Sequence, residues 1–402
     1  MTAMVPLTSH ARWPRAVVAL VAARAVNQIG AFALSFLTIA LVEVHGAALT
    51  TAGWVVALFG LATIPSRLLG GWLTARIGHR PTIVTGLVGC ALALVVIATS
   101  PGLGGAAVGA LLLGLAFEIY EPPSQALLAD LVPPERRPEA FGLLGAALAA
   151  AAVAAGALAA LLGGVDLRLL FVADAVSCVA AAILVLVLVE EPHAAAPAPG
   201  PRSVSGHRPW RDRRLLLMLA AGTGNALVWT FATTTLPVTV VARGHEPAFT
   251  GWLLALSALV TIAGQRLLRT AAFAPFRMIA LGLVAVAVGF AALAYAGGVV
   301  ALAAGAALVA LGQVFLLGPP FAIVAGLAER SSRAAYLAAF GISWGIAQTA
   351  GPVISTHLLE VSLPGAWLAG AALCAVLAAI QPLVARAVAT DDSGGVVRSV
   401  RP

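Results

Sequence analysis

Three ionisable side chains stand in stretches too apolar to hydrate them, namely Arg24, Glu118 and Glu121. A charge in hydrocarbon costs at least about 2.5–3.5 kcal/mol on insertion scales, so each needs a partner or a water-filled cavity. Glu118 falls near the middle of the apolar run 104–131, and Glu121, three residues on, shares its helical face. Arg24 falls about 7 Å from the middle of the run 16–42 at 1.5 Å per residue, which matches the depth of the two acids. An arginine facing two carboxylates would hold one ionised and let the other load and release a proton. The plainer alternative is a structural ion pair, with the second glutamate reaching a polar cavity passively. Asn27, Gln28 and Tyr120 surround this group in sequence, and Asn225, Trp229 and Gln313 supply hydrogen-bonding side chains from the other half of the chain. Together they describe a polar, aromatic-lined cavity, although each could serve helix packing alone.

Other candidates carry less. The second half has no acid deep in an apolar run: Glu329 and Glu246 fall in loops, and Glu360 stands at a run's end with His357 one turn before it. Asp174 falls near the outer end of its run, where interfacial solvation suits a capping or packing role. Gly341-Ile342-Ser343-Trp344-Gly345 matches the spacing of a hydrolase nucleophile elbow, but that chemistry needs a strand-to-helix turn and this segment is uniformly apolar. Its glycines, like Gly105 and Gly109, read as close helix contacts. Cys90, Cys178 and Cys374 are an odd number in apolar runs, fitting neither a disulfide framework nor a metal pattern. No metalloprotease, P-loop or dinucleotide fingerprint occurs, so the sequence calls for no cofactor and no metal, and no enzymatic activity is expected.

The elements that must position these residues follow from composition. Of 402 residues, 61% are hydrophobic and 10% charged, against about 25% charged in soluble domains. The mean hydropathy of +1.02 makes lipid the solvent for most side chains. Twelve membrane-spanning helices are predicted at 16–42, 51–74, 82–100, 104–131, 140–163, 168–189, 214–241, 250–268, 278–296, 299–327, 335–361 and 365–388. Barrel strands are excluded, because runs such as 146–162 show no period of two. The N-terminal run, preceded by Arg12 and Arg15, continues without a cleavage signal and reads as a retained first helix.

All 23 basic residues are arginine, and none forms a continuous basic run, so the net charge of +7 does not point to nucleic acid. Nineteen arginines fall in loops or at span ends on one side and two, Arg168 and Arg243, on the other, while Arg24 and Arg67 fall within spans. The positive-inside rule then places both termini in the cytoplasm of a multi-pass plasma (inner) membrane protein.

The chain also repeats itself. Residues 52–64, AGWVVALFGLATI, return as TGWLLALSALVTI at 250–262 with seven of thirteen positions identical. Asn27 and Asn225 share that offset of 198, and Pro122-Pro123 returns as Pro319-Pro320 at 197. Such spacing is what duplication of a six-helix unit leaves behind. The expected organisation is a bundle over 1–189, a proline- and arginine-rich cytoplasmic linker over 190–213, and a second bundle over 214–402 with a short tail.

Between the second and third spans, GGWLTARIGHRPT resembles the GxLxDRxGRR signature of the major facilitator superfamily through Gly71, Leu73, Arg76, Gly78 and Arg80. Ala75 stands where the family has aspartate; Asp130, at the end of the fourth span, matches the other acid of the latch this motif implies. The segment FEIYEPPSQALLADLVPPERRPEAFG is similar to drug/proton antiporters of that superfamily, through Glu118, Pro122, Asp130, Pro133, Pro134, Glu135, Arg136 and Arg137. RAVNQIGAFALSFL adds Arg24, Asn27 and Gly30. Gly351-Pro352 matches the exporters' glycine-proline motif, whose usual place on the fifth span holds Gly156-Ala157, and Ala110 replaces a common arginine.

The resemblance implies an all-α membrane protein of two pseudo-symmetric six-helix bundles, working as a monomer by alternating access. It further implies export of hydrophobic, drug-like small molecules in exchange for protons, with Glu118, Glu121 and Arg24 coupling the proton. The alternative is uptake or facilitated transport of a small metabolite, anionic ones included, with Arg24 as its ligand. A membrane hydrolase using Ser343 and a transporter-derived sensor are further rivals.

Overall fold

The computed structural model describes residues 13–190, 209–270, 274–328 and 333–390. Fourteen α-helices occupy them: α1 Arg15–Gly30, α2 Ala33–His45, α3 Leu49–Ile77, α4 His79–Thr99, α5 Leu103–Phe117, α6 Glu121–Asp130 and α7 Arg137–Gly163. They continue with α8 Arg168–Leu188, α9 Arg213–Ala242, α10 Ala248–Thr270, α11 Pro275–Ala294, α12 Val299–Leu327, α13 Arg333–Val361 and α14 Leu363–Thr390. Helices are what such apolar runs must form, since hydrocarbon offers the backbone no other hydrogen-bonding partner. Gly46, Gly78 and Gly244, all with positive φ, close α2, α3 and α9.

Twelve spans long and apolar enough to cross a membrane result, each within a few residues of its expected position. Two of them are not single helices as the sequence suggests. The first breaks at Ala31-Phe32 between α1 and α2, and the fourth breaks at 118–120 between α5 and α6.

Each half has its own buried core. One runs from Val17 to Val189, with α1 on α7 and α8, α4 on α5 and α8, and α3 on α5. The other runs from Val228 to Leu377, with α11 on α12 and α14, α9 on α13, and α10 on α12. A third cluster around Met218, Tyr336 and Phe340 finishes the second half. Of the linker expected over 190–213, residues 191–208 lie outside the described residues. Its last part is structured: Pro209–Arg211 form a 3₁₀ turn, and the Asp212 side chain caps α9 through the Arg214 N–H.

The halves meet along two seams, α3 with α13 and α7 with α10. Gly53 lies against Pro352 and Thr356, and Gly60 against the Gln348–Thr349 backbone. On the other seam Gly156 lies against Ala255 and Gly251 against Ala160. Gly53 and Gly251 belong to the repeated segment, and the duplicated glycine makes the close backbone approach on both sides. The tryptophans beside them, Trp54 and Trp252, face outward. The α7–α10 seam lies away from the arginine-bearing α3–α4 turn, while the α3–α13 seam continues past the middle of α3 to Ile64 beside Gly345 and Arg67 beside Gly341. Along α7 toward that end, a Cβ at Gly145 or Gly142 would meet nothing within 4 Å. The halves therefore close on each other at the arginine-poor end.

Candidate functional site

The break in the fourth span creates the site. Pro122 and Pro123 lack N–H groups, and the Glu118 N–H leaves the helix ladder to donate to Ser66 Oγ of α3 at 3.0 Å. The Ile119 N–H tightens to the Ala116 carbonyl at 3.2 Å. This turn aims Glu118 and Glu121 at different neighbours. Glu118 Oε1 accepts from Arg67 Nη2 of α3 at 3.1 Å, and Glu121 Oε2 accepts from Arg24 Nη2 of α1.

The expectation that Arg24 would face both acids is thus corrected: each glutamate has its own arginine. Arg67 is visible in the sequence as a charge within the second span, but nothing local names its partner, because the contact between α3 and the turn after α5 is tertiary. Arg24 also stacks over Tyr120, 5.0 Å from the ring centroid, and its Nε and Nη1 are buried without a partner. Glu121 Oε1 accepts from Gln125 at 2.9 Å. The Arg24 and Glu118 side chains are each 9% exposed, against 36% for Glu121 and 38% for Arg67. Every pair therefore joins one buried charge to one that reaches the space beside it. Removing either partner would strand a charge in a medium that cannot solvate it.

One turn beyond Arg24 along α1, Gln28 opens onto a cavity of about 350 Å³ between the halves. Phe32, Trp229, Thr233, Gln313 and Trp367 share its wall, and no ionisable side chain lines it. A second cavity of about 190 Å³ adjoins Trp229, Trp344 and Gln348. The two tryptophans pack edge to face at 5.9 Å. Gln313 Nε2 and Gln348 Oε1 are buried without partners, leaving a donor and an acceptor for a bound molecule.

The remaining expected residues separate. Asn225 lines a small pocket of about 10 Å³ with Trp229 and Phe340, and its Oδ1 has no partner. Asn27 and Tyr120 face away from the central cavity into a pocket of about 20 Å³ inside the first half, shared with Asp174. Asp174 is buried at 7% exposure rather than solvated at an interface. The latch residues gather at the arginine-rich end. Gly78 turns the chain at φ +86°, Arg76 lies 4.1 Å over the Trp72 ring, and Arg80 donates to the Leu186 carbonyl. Gly71 is open, while Asp130, exposed at the end of α6, pairs with neither arginine. Ser343 lies wholly buried in α13 and donates to the Phe340 carbonyl at 2.7 Å, as a helix-packing serine does.

Twelve spans in two packed halves, with a cavity between them and two Arg–Glu pairs within the first half, define a membrane transporter fold. The profile of the Major Facilitator Superfamily matches residues 20–297, and the chain belongs to that family. Over 219 residues it is 28% identical to the multidrug resistance protein MdtH of Cronobacter sakazakii (strain ATCC BAA-894), covering 52% of this chain and 54% of that one. The chain thus aligns with little more than half the length of that relative. An uncharacterised MFS-type transporter, YqjV of Bacillus subtilis (strain 168), is 25% identical over 320 residues, covering 77% and 78%. Among solved structures, the peptide transporter POT in complex with sulfate superposes with a TM-score of 0.77 at 16% identity, covering 96% and 97%. A bacterial homologue of the human lysosomal transporter Spinster, in an inward-facing and unoccupied conformation, does so at 0.71 and 15%, covering 94% and 97%. These likenesses show the fold. As a member of the family the protein sits in the bilayer.

Proposed function

We propose that this protein exports hydrophobic, drug-like molecules across the plasma membrane in exchange for protons, by alternating access between its two bundles. The observation that carries the reading is the placement of a half-buried Arg–Glu pair, Arg24 with Glu121, one helical turn along α1 from a cavity of about 350 Å³ whose wall holds aromatic and amide groups but no charge, with a second pair, Arg67 with Glu118, in the same half. Such a wall suits an apolar cargo that makes a few hydrogen bonds, with Trp229 and Trp367 as flat contacts and Gln28 and Gln313 as orienting groups. With both termini in the cytoplasm, the arginine-rich end faces inward and the closed seams face outward, so this conformation takes cargo from inside. Protonation of Glu121 or Glu118 would release its arginine and change the balance between the two conformations.

The metabolite reading needs Arg24 free to meet an anion. Its guanidinium instead serves Glu121 and Tyr120, away from the cavity wall. The test is dye efflux from everted vesicles under an imposed pH gradient. The expected result is gradient-driven movement that disappears in the Glu118→Gln, Glu121→Gln double variant. Unchanged pH-dependent efflux in that variant would refute the mechanism.

A further inference from the structure

Of the acids Glu118, Glu121 and Asp174 within the first half, the two glutamates have arginines and the aspartate, buried like Glu118, has none among the described residues. Asp174 of α8 is held against α1 so closely that a Cβ on Gly30 would collide with its Cα and with Ser177. Its Oδ1 is approached by the Ser177 hydroxyl at 3.3 Å and by the Cys178 thiol at 3.8 Å. The Ser177 hydroxyl lies nearer its own helix, 2.8 Å from the Asp174 carbonyl, and the Asn27 amide donates to Cys178 Sγ at 3.3 Å rather than to the carboxyl.

No cation pairs with Asp174 among the described residues. The groups facing it are Asn27 of α1, Cys90 of α4, Tyr120 at the α5–α6 turn and Cys178 of α8 itself. Other charges on the elements packed against α8 are Arg15 and Arg24 on α1, Glu43 and His45 on α2, His79 and Arg80 on α4, and Arg137 and Glu139 on α7, with Arg168 opening α8; of these only Arg24 stands in mid-helix, and it serves Glu121. Asp174 also lies beside the C-terminal end of α1, where the helix dipole opposes a negative charge. A charge so placed would stand without a counter-ion where solvation is poorest. The pocket has room for about one water, and two of its walls are thiols, which suits a proton and not a metal cation that wants several oxygens.

A second observation supplies the exchange. Arg24 lies over one face of Tyr120, with two N–H-bearing nitrogens buried and unpartnered, and Tyr120 also lines the Asp174 pocket. We propose that Asp174 is a second proton-binding site, loaded in this conformation and linked to Glu121 through Arg24. A proton taken up by Glu121 frees Arg24, Arg24 turns past Tyr120 to Asp174, and the carboxyl, now paired, gives up its proton to water in the cavity of about 190 Å³, which shares Ala31 and Leu34 with this pocket's wall. One proton enters at Glu121 and one leaves at Asp174, so charge and protons balance. This deepens the proton-linked reading and rests on it.

The test is infrared spectroscopy of the full chain in lipid, reading the C=O band of protonated carboxyls. At neutral pH wild type should show such a band that moves on ¹³C-labelling of aspartate carboxyls and is absent in Asp174→Asn. In Glu121→Gln, which leaves Arg24 without its acid, the aspartate band should disappear, and Arg24→Gln should restore it in the double variant. The labelling result needs no substitution at Asp174, so a folding defect there does not blunt the test. No aspartate-derived band in wild type, or a band indifferent to Glu121→Gln, would overturn the proposal. A band that responds as expected in a protein whose transport ignores pH would instead leave this site standing and remove the export reading.

Discussion

The two halves descend from one pattern but treat the same positions in opposite ways. The offset of 198 carries Arg24 onto Gly222 and Arg67 onto Gln265, and the offset of 197 carries Glu118 onto Phe315 and Glu121 onto Gly318. Where the first half places an arginine, the second places a glycine against which the Phe340 ring packs. The helices differ accordingly. Both Pro122-Pro123 and Pro319-Pro320 interrupt the backbone ladder, yet α12 runs through its prolines while the fourth span breaks before its own. Prolines alone therefore do not decide the break. The first half adds Ser66, which takes the Glu118 N–H, and Arg67, which takes its side chain, and those contacts outweigh continued helix. We read the first half as the part that handles protons and the second as the part that supplies an apolar wall.

The strongest way to break that contrast is to remove an arginine from the first half. Arg24→Leu should destabilise the protein by about 3 kcal/mol, the low end for a broken buried pair because Glu121 is partly solvated. Adding Glu121→Leu should recover most of the loss, since a well-packed apolar pair is often as stable as an ion pair. Thermal unfolding in detergent reads both. The equivalent disturbance in the second half, Gly222→Ala, sets a Cβ against the movable edge of Phe340 and should cost less.

The seams sharpen the contrast differently, because both halves contribute to them equally. Gly156→Val or Gly251→Val places methyl groups on backbone atoms across the α7–α10 seam, an overpacking that costs about 1–3 kcal/mol of the closed arrangement. Spin-label distances across the arginine-poor end should lengthen in both variants, and by similar amounts. If only one variant responded, the mutual contact of Gly156 and Gly251 would not be what closes this seam.

The twelve spans and the duplication were legible because hydropathy and a thirteen-residue repeat are local signals, and the structure places every span within a few residues of its expected ends. The candidate site was legible only in part. That Glu118 and Glu121 needed partners followed from the cost of burying charge, but the choice of Arg67 for Glu118 depends on how α3 crosses the fourth span. Asp174 was misplaced for the same reason: its position along α8 suggested an interface, and only the packing of Gly30 shows it enclosed. Asn27 points away from the central cavity because the face of α1 it shares with Arg24 looks into the first half, whereas Gln28, one residue on, looks between the halves.

Within the cavity, Trp229→Ala should weaken dye binding about tenfold, as loss of a flat aromatic contact typically does. Gln313→Leu should have a smaller effect for an apolar dye and a larger one for a cargo carrying an acceptor, because it removes an unspent N–H donor. Fluorescence titration with two dyes differing in that acceptor separates these outcomes.

The smallest expected effect compares how each half begins. α1 starts after Pro14 with no side-chain cap, whereas α9 starts at Asp212, whose carboxylate accepts from the Arg214 N–H and from the Tyr336 hydroxyl, both at 2.8 Å. Burial pushes this carboxyl up, but the Tyr336 hydroxyl and the backbone and charge of Arg214 bring it below its usual value. A depressed carboxyl contributes stability above its unfolded pKa of about 3.9 and loses it as pH falls through the folded value. Asp212→Ala should therefore cost about 1 kcal/mol at neutral pH, with the difference from wild type shrinking on acidification. Asp212→Asn keeps the cap but not the charge, so it should lose less and flatten the pH dependence. A wild-type stability that did not fall more steeply than that of Asp212→Asn in acid would show that the cap works through geometry alone.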